Sequence, residues 1–177
     1  TVWDVDPAKL DLAMVCTWDS ESDSYQSFLM QDLPKLWNIL ERADMLIGYN
    51  SDHFDIPLLN RYYPGDLTRI KSLDLMNEVR ESSGKRLKLN SLAQATLGVG
   101  KLGDGLQAVD WWQQGEIEKV REYCLMDVRI TKELYEYALA NKHVKYLDFG
   151  GEVRQIPLDT THWEKTARSS LTHTLPF

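Results

Sequence analysis

The chain has 177 residues, is 43% hydrophobic and 27% charged, and carries a net charge of −7. That is about one domain's length, enough to bury roughly 70% of the unfolded surface without a disulfide or metal staple. The composition excludes a disordered or fibrous chain. No apolar run reaches the ~18–20 residues of a membrane span, and the acidic balance argues against a non-specific nucleic-acid coat protein.

The two cysteines, Cys16 and Cys124, lie far apart and form no CxxC motif. That is no disulfide framework, and it points to a reducing compartment. The N-terminus shows no basic patch followed by an apolar core, so the expectation is a cytoplasmic protein without a signal peptide. The chain begins with Thr1 rather than Met, the pattern expected of a domain cut from a longer chain.

Strands open the chain. Residues 1–6 alternate, Pro7 breaks the run, and residues 10–18 alternate again with Leu10, Leu12, Met14 and Cys16 on one face. After a polar turn, residues 25–30 form a third strand, giving an antiparallel meander. A helix follows, with Asp32 as N-cap, Pro34 in its first turn, and Leu33, Leu36, Trp37, Leu40 and Ala43 at helical spacing. Residues 45–50 read as a short buried strand. A second helix starts near Asp52 and stops at Pro64-Gly65. Residues 70–76 fit a strand or a helix entry equally. Asn90 or Ser91 caps a short helix that ends at Gly98, and the longest helix runs over about 116–141 with Ile117, Val120, Cys124, Val128, Thr131, Leu134 and Ala138 as its stripe. A β-hairpin turning at Gly150-Gly151 follows, and residues after Asp159 read as a loose tail. The domain reading is therefore a main domain over 1–143, an appended hairpin over 144–158 and a tail over 159–177. A meander followed by α/β crossovers gives a mixed sheet flanked by helices.

The acids carry the chemistry. Asp4 and Asp6 are two apart on a strand and point to one face, where they repel unless a positive charge lies between them. Taken alone, the pair also fits an acidic, solvent-facing edge strand. Asp55 follows the buried strand, at the end where α/β sheets place ligands. The competing reading makes Asp52 the helix cap and Asp55 the exposed acid at the third helical position, a capping-box-like arrangement. Tyr123 and Asp127 are four apart and share a helix face. Alone, they also fit a core-margin tyrosine and an aspartate paired with Arg121 or Arg129. Together, four carboxylates with no His or Cys among them suit a hard divalent cation such as Mg²⁺ or Mn²⁺.

This set resembles the DEDD superfamily of 3′→5′ exonucleases, in its tyrosine subclass, on the ribonuclease H-like fold. Asp4-Val5-Asp6 stands where that family has D-x-E; Asn50, Phe54 and Asp55 match its second motif; and Tyr123-Cys-Leu-Met-Asp127 matches its Y-x-x-x-D. The second and third motifs are similar to those of family-B DNA polymerase proofreading domains and small bacterial exonuclease domains. The resemblance covers roughly residues 1–140. It implies a mixed five-stranded sheet and two divalent cations, Mg²⁺ or Mn²⁺, held by Asp4, Asp6, Asp55 and Asp127, with Tyr123 orienting the attacking water. The implied reaction is hydrolysis of single-stranded nucleic acid from the 3′ end to nucleoside 5′-monophosphates, with DNA favoured over RNA. A helicase or polymerase is an implied partner. The family's first motif carries Glu where this chain has Asp6, one methylene shorter and followed by Pro7. That departure keeps a second reading open, a catalytically weak or inactive module that binds nucleic acid or protein.

For the substrate, Asn50, His53 and Phe54 are candidates near the scissile end, although a surface histidine fits His53 as well. Lys85, Arg86 and Lys88 form a basic cluster that suits phosphates or a solvated loop. Trp111, beside Trp112, offers a stacking face for a single strand or is part of the core.

Overall fold

A computed structural model describes residues 11–99 and 105–164. Asp4 and Asp6, and with them the expected first strand, lie outside the described residues. In chain order the elements are β1 (Val15–Asp19), β2 (Ser24–Phe28), a 3₁₀ turn (Met30–Asp32), α1 (Leu33–Leu40), β3 (Leu46–Gly48), α2 (Asp55–Asn60), a second 3₁₀ turn (Leu67–Arg69), β4 (Ser72–Asp74), α3 (Leu75–Ser83), α4 (Leu89–Leu97), α5 (Gly105–Gln113), α6 (Ile117–Asn141), β5 (His143–Leu147) and β6 (Val153–Pro157).

The strands form three pairs: β1 with β2 antiparallel, β3 with β4 parallel, and β5 with β6 antiparallel. The architecture is α/β, as expected, but a continuous five-stranded sheet is not formed among the described residues. Joining the pairs needs a strand bonded to both the meander and the parallel pair, and no described strand does this. Residues 70–76, ambiguous by periodicity, resolve into both alternatives: β4 runs straight into α3, with Asp74 as the helix cap.

Two apolar clusters flank the β3–β4 pair, because neighbouring strand residues face opposite sides. Leu73 belongs to a cluster with Leu92, Leu134, Val144 and Trp163. Leu46, on the other face, packs against Phe28, Leu36, Ile56 and Leu67. The long helix α6 buries Val120, Ile130, Leu134 and Ala138, and it packs against β1, β2, β3 and β5. Ile130 was absent from the expected stripe, and Cys124 and Val128 are only half-buried.

Two expectations about the C-terminal part need correction. The hairpin contributes Val144 and Ile156 to the same core as Leu134. Its connection is a five-residue loop, with Leu147 opposite Val153, rather than a two-residue turn. Residues 159–164 are packed rather than loose. Trp163 is fully buried, stacks on Tyr135 with ring centroids 5.7 Å apart, and donates its indole N–H to Glu78 at 3.0 Å. A single anchoring tryptophan leaves no periodic trace in sequence.

Candidate active site

The parallel pair ends at Gly48 and Asp74, which are in register. Past Gly48 the chain turns sharply into α2. A Cβ at Gly48 would clash with the Ser51 side chain, so only glycine permits this approach. Asn50 takes a left-handed conformation, φ 62°, which asparagine tolerates better than most residues. The Phe54 N–H then donates to the Asn50 carbonyl and the Ile56 N–H to that of Ser51, at 3.0 and 2.9 Å.

Asp74 organises this turn. Its carboxylate accepts from the Asn50 N–H at 2.7 Å, the Asp52 N–H at 3.1 Å and the Met76 N–H at 3.0 Å. One buried acid therefore caps α3 and holds the turn that delivers Asp55. Sequence reasoning missed it as a site residue. The available signal was a helix-cap aspartate immediately after a buried strand.

Asp55 is the first residue of α2. Asp52 does not cap that helix; its carboxylate accepts instead from Ser72 Oγ and Asn77 Nδ2. Asp55 is exposed as a residue, while protein is dense around its carboxyl. Lost hydration raises its pKa to about 7, and the negative charges of Asp74 and then Asp127 add to the rise.

Asp127 arrives from α6. Desolvation raises its pKa to about 6, opposed by a hydrogen bond from the Tyr123 hydroxyl. That bond joins residues four apart on one helix face. The alternative pairing with Arg121 or Arg129 is not formed: Arg121 pairs with Glu118 and Arg129 with Glu133. Trp111, on α5, meets Tyr123 edge-on with centroids 6.4 Å apart. The sequence reading had assigned no helix there.

The fold thus brings together Asp55, Asp127, Tyr123 and Trp111, with Asp74 behind the turn. Asn50 lies in the turn, and its Oδ1 is buried without a hydrogen-bond partner. His53 is exposed on the turn, while Phe54 packs against the core beside Ile56. Lys85, Arg86 and Lys88 are exposed on the loop between α3 and α4. The Tyr49 hydroxyl fastens that loop by donating to the Leu87 carbonyl at 2.6 Å, so the basic residues stand one tyrosine side chain from the turn. Lys85 itself rests over the Tyr146 ring at 4.9 Å.

The profile of the RNase_H superfamily matches residues 5–139, a span that includes Asp6, the Asn50 turn, Asp74 and Asp127. The chain belongs to the RNase_H superfamily. Members of this superfamily are generally nucleases that use divalent metal ions. The chain is also similar to DNA polymerase 2 of Aeropyrum pernix, with 28% identity over 153 residues, which covers 66% of this chain and 17% of that protein. No solved structure matches.

The donor set of this RNase_H-superfamily chain can be tested for a metal. The charges of Asp74 and Asp127 both oppose ionisation of Asp55, and none of the three forms an ion pair with a cation among the described residues. Oxygen donors with an unmet need for positive charge fit a hard divalent ion. Among the described residues no group of three or more ligands converges.

Proposed function

We propose that this chain is a metal-dependent 3′→5′ exonuclease acting on single-stranded nucleic acid, with DNA preferred over RNA. One observation carries the reading: Asp55 and Asp127 come from separate elements, burial raises the cost of ionising both, the Asp127 charge adds to that cost at Asp55, and Tyr123 is bonded to Asp127. Two carboxylates destabilised by burial beside a positioned hydroxyl suit phosphodiester hydrolysis better than surface charge.

In this reading Asp55 and Asp127, with Asp4 and Asp6, hold two divalent cations, Mg²⁺ or Mn²⁺. Such ions supply water activation and charge neutralisation at phosphorus. Tyr123 orients the water: a phenol of pKa near ~10 is a poor base at neutral pH, but its ring is braced by Trp111 and its hydroxyl is fixed on Asp127. Asn50 and His53 face the terminal nucleotide, Phe54 sets the turn from the core side, and Lys85, Arg86 and Lys88 contact phosphates of the incoming strand. Trp111 stacks on a base. The product is a nucleoside 5′-monophosphate. Because the chain spans 17% of the length of the polymerase it resembles, work beside a polymerase or helicase is part of the proposal.

The test uses 5′-labelled DNA and RNA oligonucleotides with Mn²⁺, Mg²⁺ or EDTA, comparing the natural chain with Asp55→Ala. A metal-dependent ladder shortening from the 3′ end and lost in the variant supports the reading. Tight binding with no ladder overturns it and favours the binding module that Asp6, in place of glutamate, keeps open.

A further inference from the structure

The chain's two cysteines, far apart in sequence, meet in the fold. Cys16 is buried on β1, Cys124 is half-buried on α6, and both thiols are free. Their thiols lie within interaction range of each other, where α6 packs on β1. A second contact keeps them in place. The Arg121 guanidinium, one helical turn before Cys124, bonds the hydroxyl of Ser27, and Ser27 is the β2 residue in register with Cys16. The helix is thus clamped to the strand pair at the point where the two sulfurs meet. Two small apolar side chains would fill this space equally well, but they would not place two thiols in contact beside a cation.

We propose that Cys16 and Cys124 are a reversible oxidation site, forming an intrachain disulfide with hydrogen peroxide and joining β1 covalently to α6. The Cys124 thiol and, more weakly, the Arg121 charge favour the thiolate at Cys16 against the opposing effect of its burial, so this sulfur attacks the peroxide. The O–O bond breaks, Cys16 becomes a sulfenic acid, and the departing hydroxide leaves as water after taking a proton. The Cys124 sulfur then attacks the sulfenic sulfur, forming the S–S bond and releasing a second water. Two thiols lose two electrons, and one peroxide becomes two waters. A dithiol reverses the step by exchange.

The bond has a consequence for the carboxylates. Cys124 directly follows Tyr123 and lies three residues before Asp127 on the same helix. A covalent S–S contact is closer than a non-bonded one, so oxidation draws this turn of α6 toward β1 and shifts it relative to the Asp55 turn. Small misplacements of reacting groups reduce rates by up to about a hundredfold, and we expect a loss of at least about tenfold here. That consequence rests on the exonuclease reading; the disulfide itself does not.

The experiment treats the reduced full chain with hydrogen peroxide, alkylates remaining thiols in denaturant, and maps peptides without reduction. The expected result is a monomer with neither cysteine alkylated, one cross-linked peptide pair containing Cys16 and Cys124, and full return of both alkylation sites after dithiothreitol. Cys124→Ser removes the cross-link, and wild-type mapping decides the matter even if that variant fails to fold. Two thiols still fully alkylated, disulfides only between chains, or oxidation that dithiothreitol does not reverse would overturn the site. In parallel, 3′ trimming should fall at least about tenfold in oxidised wild type and recover on reduction. An unchanged rate in the cross-linked chain overturns the coupling, whereas a reduced chain with no activity counts against the exonuclease reading and leaves the mapping result intact.

Discussion

Asp74→Ala tests the claim that one buried carboxylate builds the turn carrying Asp55. The substitution removes the acceptor for three backbone N–H groups, those of Asn50, Asp52 and Met76. The Met76 donor is fully buried and loses about 1–3 kcal/mol when left unsatisfied, and each of the other two, partly reachable by water, loses about 1 kcal/mol. Relief of repulsion between Asp74 and Asp55 offsets part of this sum. The expected net loss is about 3 kcal/mol, or roughly 6–12 °C in Tm at ~2–4 °C per kcal/mol for a domain of this size. Urea unfolding followed by circular dichroism in EDTA reads the stability, and the same preparation reports metal-dependent hydrolysis. A loss below about 1 kcal/mol, with activity intact, would mean that the Asn50 turn holds its own shape, and the reasoning about Asp74 would be wrong.

Four further outcomes are expected. Asp55→Asn should reduce metal-dependent hydrolysis by more than about 100-fold while leaving oligonucleotide binding in place, as read by single-turnover kinetics and anisotropy; a smaller loss would remove Asp55 from the chemistry. Tyr123→Phe keeps the edge-on contact with Trp111 and deletes the hydroxyl bonded to Asp127, so hydrolysis should fall about tenfold with stability changed by less than about 1 kcal/mol. In metal-free protein, Asp55 and Asp127 keep their protons up to about pH 7 and 6, whereas in the unfolded chain they lose them near ~3.9. Folding therefore binds protons in that window, so stability should fall as pH rises from about 4 to 7, and Asp55→Asn should flatten the slope measured by urea titration. Trp163→Ala should cost about 3–5 kcal/mol, because it empties a fully buried site and removes the indole N–H from Glu78; a chain ending at residue 158 should show a comparable drop in Tm.

Much of the site was legible because its chemistry is local. Asn50, Phe54 and Asp55 fall within one turn, and Tyr123 and Asp127 share a helix face by their spacing alone. Asp74 was not legible as part of the site. Its role comes from the register of β4 on β3, which sets it opposite Gly48 and under the Asn50 N–H, and no sequence interval encodes a parallel register. The role of Trp111 depends likewise on how α5 lies along α6.

The sequence by itself determined the α/β class, the long helix and its end at Asn141, the helix stop at Gly98, and the residue types able to serve a divalent ion. These follow from periodicity, from the freedom of glycine and from the hardness of carboxylate oxygen, which are properties of neighbours in the chain. Tertiary structure alone decided that Asp55 faces Asp127, that Cys16 touches Cys124, that Trp163 closes the core, and that the described strands stand as three pairs. Each of these depends on burial and charge between segments far apart in sequence, and such energies exist only once the chain has folded.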